Sequence, residues 1–108
     1  MEILDYHTSG GKNVITDYID RLPKSERLEA YEIRQEIRKS GIDAFEKLNT
    51  RQLRGKLWEI KISQTRIMYV IVDVNNVAFL HICKKQKGKA EKQEIEVALN
   101  RGRREGIL

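Results

Sequence analysis

Three permanent cations, Lys61, Arg66 and Lys85, stand at or near the ends of runs that read as neighbouring β-strands, and the chemistry they suggest is capture of an anion. For Trp58, Ile60 and Ile62 to enter a core, strand alternation must turn Glu59 and Lys61 to the other face, alongside Arg66. A tight turn at Asn75-Asn76 predicts a register that sets Val72 opposite Phe79, Val70 opposite His81, Met68 opposite Cys83 and Arg66 opposite Lys85. Like charges on facing strands cost about 0.2–1 kcal/mol per pair, so folding alone gives no reason to gather them, whereas a bound anion does. The alternative is a set of solvated strand ends whose long side chains splay apart. Other reactive types read as structural. Cys83 lies beside Ile82 and faces Met68, which suits a core thiol better than a nucleophile. Trp58 points inward by parity, as core rather than as a platform for a base. Gly10-Gly11 is too short for a phosphate loop.

The wider charge pattern agrees. Residues 49–89 hold nine Lys/Arg (Arg51, Arg54, Lys56, Lys61, Arg66, Lys84, Lys85, Lys87, Lys89) against two acids, Glu59 and Asp73, a local +7 in a chain whose total is +5. The basic excess is therefore concentrated on the strand-rich half, as expected of a polyanion site. One cysteine leaves no internal disulfide, and two histidines far apart give no zinc spacing, so neither metal nor other cofactor is expected. The first twenty residues meet a charge every few positions and contain no apolar run of signal or membrane-spanning length, which points to the cytosol.

The elements that must position these residues can be read from periodicity. A chain of 108 residues, 40% apolar and 34% charged, suits a single domain over 1–108 with one modest core. MEILDYH reads as a short first strand before the Gly10-Gly11 turn. Ile15, Tyr18, Ile19 and Leu22 share one helical face, and Pro23 ends that helix and opens a second that runs to Gly41. The acids of this helical hairpin, interleaved with basic residues, read as a solvated surface. KLWEIKIS (56–63), RIMYVIVD (66–73) and VAFLHICK (77–84) read as strands, whose face bearing Ile71, Leu80, Tyr69 and Ile82 needs the hairpin on top of it. A final helix follows, and GRREGIL at the end reads as frayed.

Taken in order, these segments resemble the RelE/ParE superfamily of toxins from bacterial toxin–antitoxin pairs, and within it the HigB-like, phage Gp49-like branch. The resemblance rests on Leu57-Trp58-Glu59-Ile60-Lys61, Arg66 with Tyr69, Lys84-Lys85-Gln86-Lys87, and Glu94-Ile95 with Ala98, and it covers nearly the whole chain. It implies an α+β fold: a small antiparallel β-sheet with the helical hairpin on one face, and a C-terminal helix, as in microbial ribonucleases. It further implies a metal-independent endoribonuclease that cuts mRNA in the ribosomal A site and is neutralised by an antitoxin, HigA-like with a helix-turn-helix, through which alone operator DNA would be bound. The basic positions of the RelE site fall on Lys61, Arg66 and Lys85.

Such cleavage needs a base for the ribose 2′-hydroxyl, cations for the phosphorane and an acid for the departing 5′-oxygen. Glu59 and His81 are the candidates for base and acid, although His81 beside Phe79 and Cys83 also suits a satisfied core histidine. Arg51, Arg54, Lys56, Lys84, Lys87 and Lys89 would hold RNA phosphates without reading sequence. Two positions depart from RelE: Glu59 replaces a lysine, and Glu91 falls near a tyrosine early in the last helix. A ParE-like gyrase inhibitor, which would need no cation cluster at a cleft, and a non-enzymatic nucleic-acid-binding module stay open as alternatives.

Overall fold

The computed structural model describes residues 1–108. Its elements are β1 (Glu2–Asp5), α1 (Val14–Asp20), α2 (Lys24–Ser40), a 3₁₀ segment (Gly41–Lys47), β2 (Thr50–Arg54), β3 (Leu57–Ile62), β4 (Thr65–Asp73), β5 (Asn76–Lys84) and α3 (Gly88–Arg104). The strands form one sheet in the order β1-β5-β4-β3-β2. The fold is α+β, as expected, but the sheet is mixed: β1 runs parallel to β5. A parallel neighbour needs a long crossover, and everything from α1 to β4 lies in that connection.

Local signals explain the helices. Asn13 caps α1, its side chain accepting the Ile15 and Thr16 amides at 3.0 Å, and Pro23 separates α1 from α2. Gly41, at φ 64°, ends α2 in the left-handed region that glycine tolerates. Ile15, Ile19, Ala30 and Ile37 of this hairpin bury Ile60, Ile62, Ile67, Tyr69 and Phe79 on one face of the sheet. On the other face Ile95, Ala98 and Leu99 of α3 cover Leu57, Met68, Val70, Leu80 and Cys83. A buried ion pair fastens the hairpin to β1: Arg34 donates to both Asp5 oxygens at 2.8 and 2.7 Å.

Three expectations change, and one strand appears that was not read from the sequence. First, the β4–β5 register differs. Arg66 faces Cys83, Met68 faces His81, Tyr69 faces Phe79 and Val70 faces Ala78. The turn is Val74-Asn75, closed by Asp73 and Asn76, because Asp73 Oδ1 accepts the Asn75 amide at 2.8 Å and the Asn76 side chain at 3.0 Å. That moves the pairing by two residues and keeps side-chain parity near Arg66. A bulge between Met68 and Tyr69 then reverses parity, sending Phe79 to the hairpin side and Leu80 under α3. Second, Trp58 shares the hairpin face with Ile60 but remains 37% exposed, because the hairpin does not cover the start of β3. Third, the tail is not frayed: the Ile107 and Leu108 amides both donate to Gly102 O, and Leu108 lies so near Gly102 that an added Cβ would meet it at 2.5 Å. The added strand is TRQLR, an edge strand, polar because both its faces are largely open.

Candidate functional site

Lys61 and Arg66 occupy facing positions at the ends of β3 and β4, on the sheet face that carries α3. Lys85 lies just beyond β5, where its amide continues the ladder by donating to Gln64 O at 2.7 Å. Opposite Arg66 stands Cys83, so Lys85 reaches the cluster from the next position on the same side rather than face to face. Three residues later α3 begins. Its N-cap is Lys87 and no side chain bonds its first amides, so free N–H groups and the positive end of the helix dipole stand beside the lysines. Lys84, Lys85, Lys87 and Lys89 are all exposed there.

Arg66 is held in place by its own turn. Its Nη1 donates to Ser63 O at 2.8 Å and to Thr65 O at 3.0 Å, while its Nε lies 4.0 Å from Glu59 Oε2. Ser63 adopts φ 53°, a conformation uncommon outside glycine, which turns its carbonyl to this use. The guanidinium is anchored on one edge, its Nη2 makes no bond, and the side chain is 11% exposed.

Glu59, Met68 and His81 form one row across β3, β4 and β5. Neither end of that row is an open acid or base. Glu59 is 1% exposed under α3, with Arg51 Nε 2.8 Å from Oε2. Arg51 in turn reaches Glu91 at 2.9 Å, so it straps β2 to α3. His81 is engaged at both nitrogens: Nδ1 faces Arg101 Nη1 at 3.1 Å and Nε2 faces Glu94 at 2.5 Å. A guanidinium only donates, so Nδ1 accepts and the ring proton sits on Nε2, given to Glu94. Burial pushes the His81 pKa down, against the opposing pull of Glu94, and the ring is neutral near pH 7. Burial would raise the Glu94 pKa, but bonds from His81 and Cys83 more than offset this and lower it. Burial and the same carboxylate push the Cys83 thiol far up, which leaves no thiolate to attack anything.

His81, Cys83 and Glu94 bring one nitrogen, one sulfur and one oxygen within 4.8 Å of one another. As a metal set they fit poorly. A metal on Nε2 would move the ring proton to Nδ1, against the Arg101 donor, whereas metal-bound histidines need an acceptor there. The group is arranged instead as a hydrogen-bonded tie between β5 and α3, a role with no signature in sequence because Glu94 lies on a different element.

The remaining cations separate. Arg54 is paired with Glu96 at 2.7 Å. Lys56 lies at the β2–β3 turn, at the other end of β3 from Lys61, about 17 Å away at strand spacing. Arg21, Arg101 and Arg104, which sequence reading passed over, lie in depressions on the α1 side of α3. No helix is long and apolar enough to cross a membrane.

The model of the phage-derived Gp49-like protein family (DUF891) matches residues 17–103, a range holding all of α2, the sheet except β1, and the cation cluster. No curated protein matches the chain at a significant level.

Proposed function

Because this chain belongs to the Gp49-like family, a toxin-like family related to RelE, we propose that it is a HigB-type toxin: a metal-independent endoribonuclease that cuts mRNA on the ribosome. The observation that carries this reading is the gathering of Lys61, Arg66 and Lys85 around the uncapped start of α3, with Arg66 fixed by two carbonyls. Four sources of positive potential there match a phosphate, and match a phosphorane better still because its charge is larger. In the proposed reaction the 2′-oxygen attacks phosphorus, the bond to the 5′-oxygen breaks, and the cations stabilise the five-coordinate dianion between. Glu59 and His81 are both engaged by arginines, so this chain supplies charge stabilisation, and the ribosome supplies orientation and the proton transfers. The protein acts in the cytoplasm and is silenced by an antitoxin with a helix-turn-helix, which alone contacts operator DNA.

The test is direct. Inducing the wild-type chain in bacteria should arrest growth and shorten mRNA, and Arg66→Ala should be tolerated. Purified protein should cut mRNA on programmed ribosomes much faster than free mRNA. Normal growth with abundant folded wild-type protein would refute the proposal, and gyrase inhibition without RNA cleavage would favour the ParE-like alternative.

A further inference from the structure

The arginines divide across α3. On its β2 side Arg51 and Arg54 are tied to Glu59, Glu91 and Glu96 at 2.7–2.9 Å. On its α1 side Arg21, Lys84, Arg101 and Arg104 make no ion pair. These four cations line three adjoining depressions of about 640, 180 and 540 Å³. The first and second share Arg101, and the second and third share Tyr18 and Arg21. The third ends at Gln64, Thr65 and Lys84, at the strand ends from which Arg66 and Lys85 project to the opposite, α3-bearing face. Together they make one groove along the outer edge of β5, where β1 stops pairing at Phe79 and no strand lies beside Leu80–Lys84. Along α3 it touches Val97, Asn100, Arg101 and Arg104, the C-terminal half of that helix.

The fold holds these cations at a cost. Arg101 Nη1 donates to Leu80 O at 3.0 Å, its guanidinium lies 4.6 Å from the centre of the Tyr6 ring, and Arg104 donates to Tyr6 Oη at 2.7 Å. Burial and the neighbouring Arg104 depress the Arg101 pKa, so the pair repels where no carboxylate bonds to either member. Three acids line the groove: Asp17 is taken by Lys12 at 3.8 Å, Glu26 accepts from Thr65 at 3.2 Å, and Glu105 stands exposed at the far end.

We propose that this groove is the track for a single strand of RNA leading to the Lys61–Arg66–Lys85 cluster, with successive phosphates on Lys84, Arg21, Arg101 and Arg104. The proposal rests on the endonuclease reading above and adds where the rest of the substrate lies. A positively charged channel with aromatic rings is how single strands are held without sequence preference, and Tyr18 is the ring available here, Tyr6 being buried beneath Arg101. An acidic protein segment has the same sign of charge, but the groove ends at the strand ends that also carry the phosphate cluster, and a strand passing around those ends favours RNA. The β2 side of α3, with its arginines neutralised, is the side the strand avoids.

Binding of a fluorescent, uncleavable dodecamer RNA and of the matching trinucleotide, measured by anisotropy across salt concentrations, tests this. The Arg21→Glu/Arg104→Glu double variant should bind the dodecamer at least about tenfold more weakly. Its log–log salt slope should be shallower by about 1.4 units, about 0.7 for each lost phosphate contact. Trinucleotide binding should hardly change. A charge-matched Lys39→Glu/Lys47→Glu control, away from the groove, should keep the wild-type slope. If the groove variant behaves like the control, or the wild type does not bind the dodecamer at low salt, the track is wrong. Cleavage on ribosomes by the same preparations separates the two proposals. A cutting wild type with unaltered binding in the groove variant removes only the track; groove-dependent binding without cutting removes only the endonuclease. Should the double variant melt early, Arg21→Gln/Arg104→Gln is read the same way.

Discussion

Arg66 and Arg51 are the same residue type on the same sheet face, and their partners give them opposite fates. Arg66 bonds to two carbonyls, which fix its plane, and sits 4.0 Å from Glu59; Arg51 is sandwiched between two carboxylates at 2.8 and 2.9 Å. Arg66→Ala should therefore lower single-turnover cleavage of ribosome-bound mRNA about 100-fold, the scale of losing one preorganised electrostatic contact. Arg66→Lys should rescue little of this, since one ammonium cannot hold both carbonyls and a phosphate. Arg51→Ala should leave Glu59 buried without its nearest cation. With allowance for the partial exposure of Arg51, the cost is about 1–3 kcal/mol of stability, read from urea unfolding, with the salt slope of RNA binding unchanged. A shallower slope at wild-type stability would return Arg51 to the phosphate-binding group.

Elements bring in constraints that single residues do not carry. The β3–β4 turn holds Ser63 at φ 53°, where a side chain is strained and glycine is not. Ser63→Gly should raise the unfolding free energy by up to about 1 kcal/mol while keeping the carbonyl that anchors Arg66; a destabilised variant would mean that the Ser63 side chain matters beyond its backbone. The His81–Glu94 tie between β5 and α3 gives a pH dependence. The folded-state pKa of His81 lies below its unfolded value of about 6.5, so the unfolded chain binds more protons as pH falls. The stability owed to a neutral His81 is complete above that pH and is lost as pH drops through and below it. Around the ring stand Glu94 and Arg101 of α3 and, across the groove, Tyr18, Lys12, Asp17 and Arg21 of the α1 region. Chemical denaturation between pH 7.5 and 5.5, values chosen to bracket roughly the ordinary histidine range, should show a falling stability whose slope is reduced in His81→Gln. An unchanged slope in that variant would assign the acid sensitivity elsewhere.

At the scale of the molecule, two cores on opposite faces of one thin sheet must be kept in register, and the buried Arg34–Asp5 pair is the polar link between α2 and β1. Side-chain exposures of 4% and 7% leave no water to replace a lost partner. Asp5→Ala should thus cost about 3–5 kcal/mol, measured as a lower denaturation midpoint, and should cripple growth arrest through loss of folded protein rather than loss of chemistry. A variant as stable as the wild type would show that Arg34 finds another partner. The division of charge across α3 belongs to this scale too, because it arises only when β2 lies along one side of the helix and the open edge of β5, with Arg21 beyond it, along the other.

What the sequence determined alone was whatever depends on neighbours along the chain. The Ile15–Leu22 periodicity, Pro23, and the β-branched runs before and after a turn read at Asn75-Asn76 set the element types. Strand parity placed Lys61 and Arg66 on one face, and the run of lysines after Cys83 marked where the charge would gather. Tertiary structure decided the rest. An Asp73 side chain and a one-residue bulge reset the β4–β5 register, and strand polarity hid TRQLR because an edge strand has little to bury. The accessible cations could not be read from composition at all. Glu91 and Glu96 neutralise Arg51 and Arg54 from 40 and 42 residues away, while Arg21 and Arg101 meet across β5 with no acid bound to either. Charge is counted along the chain, but an ion pair depends on distance in space, and only the fold sets that distance.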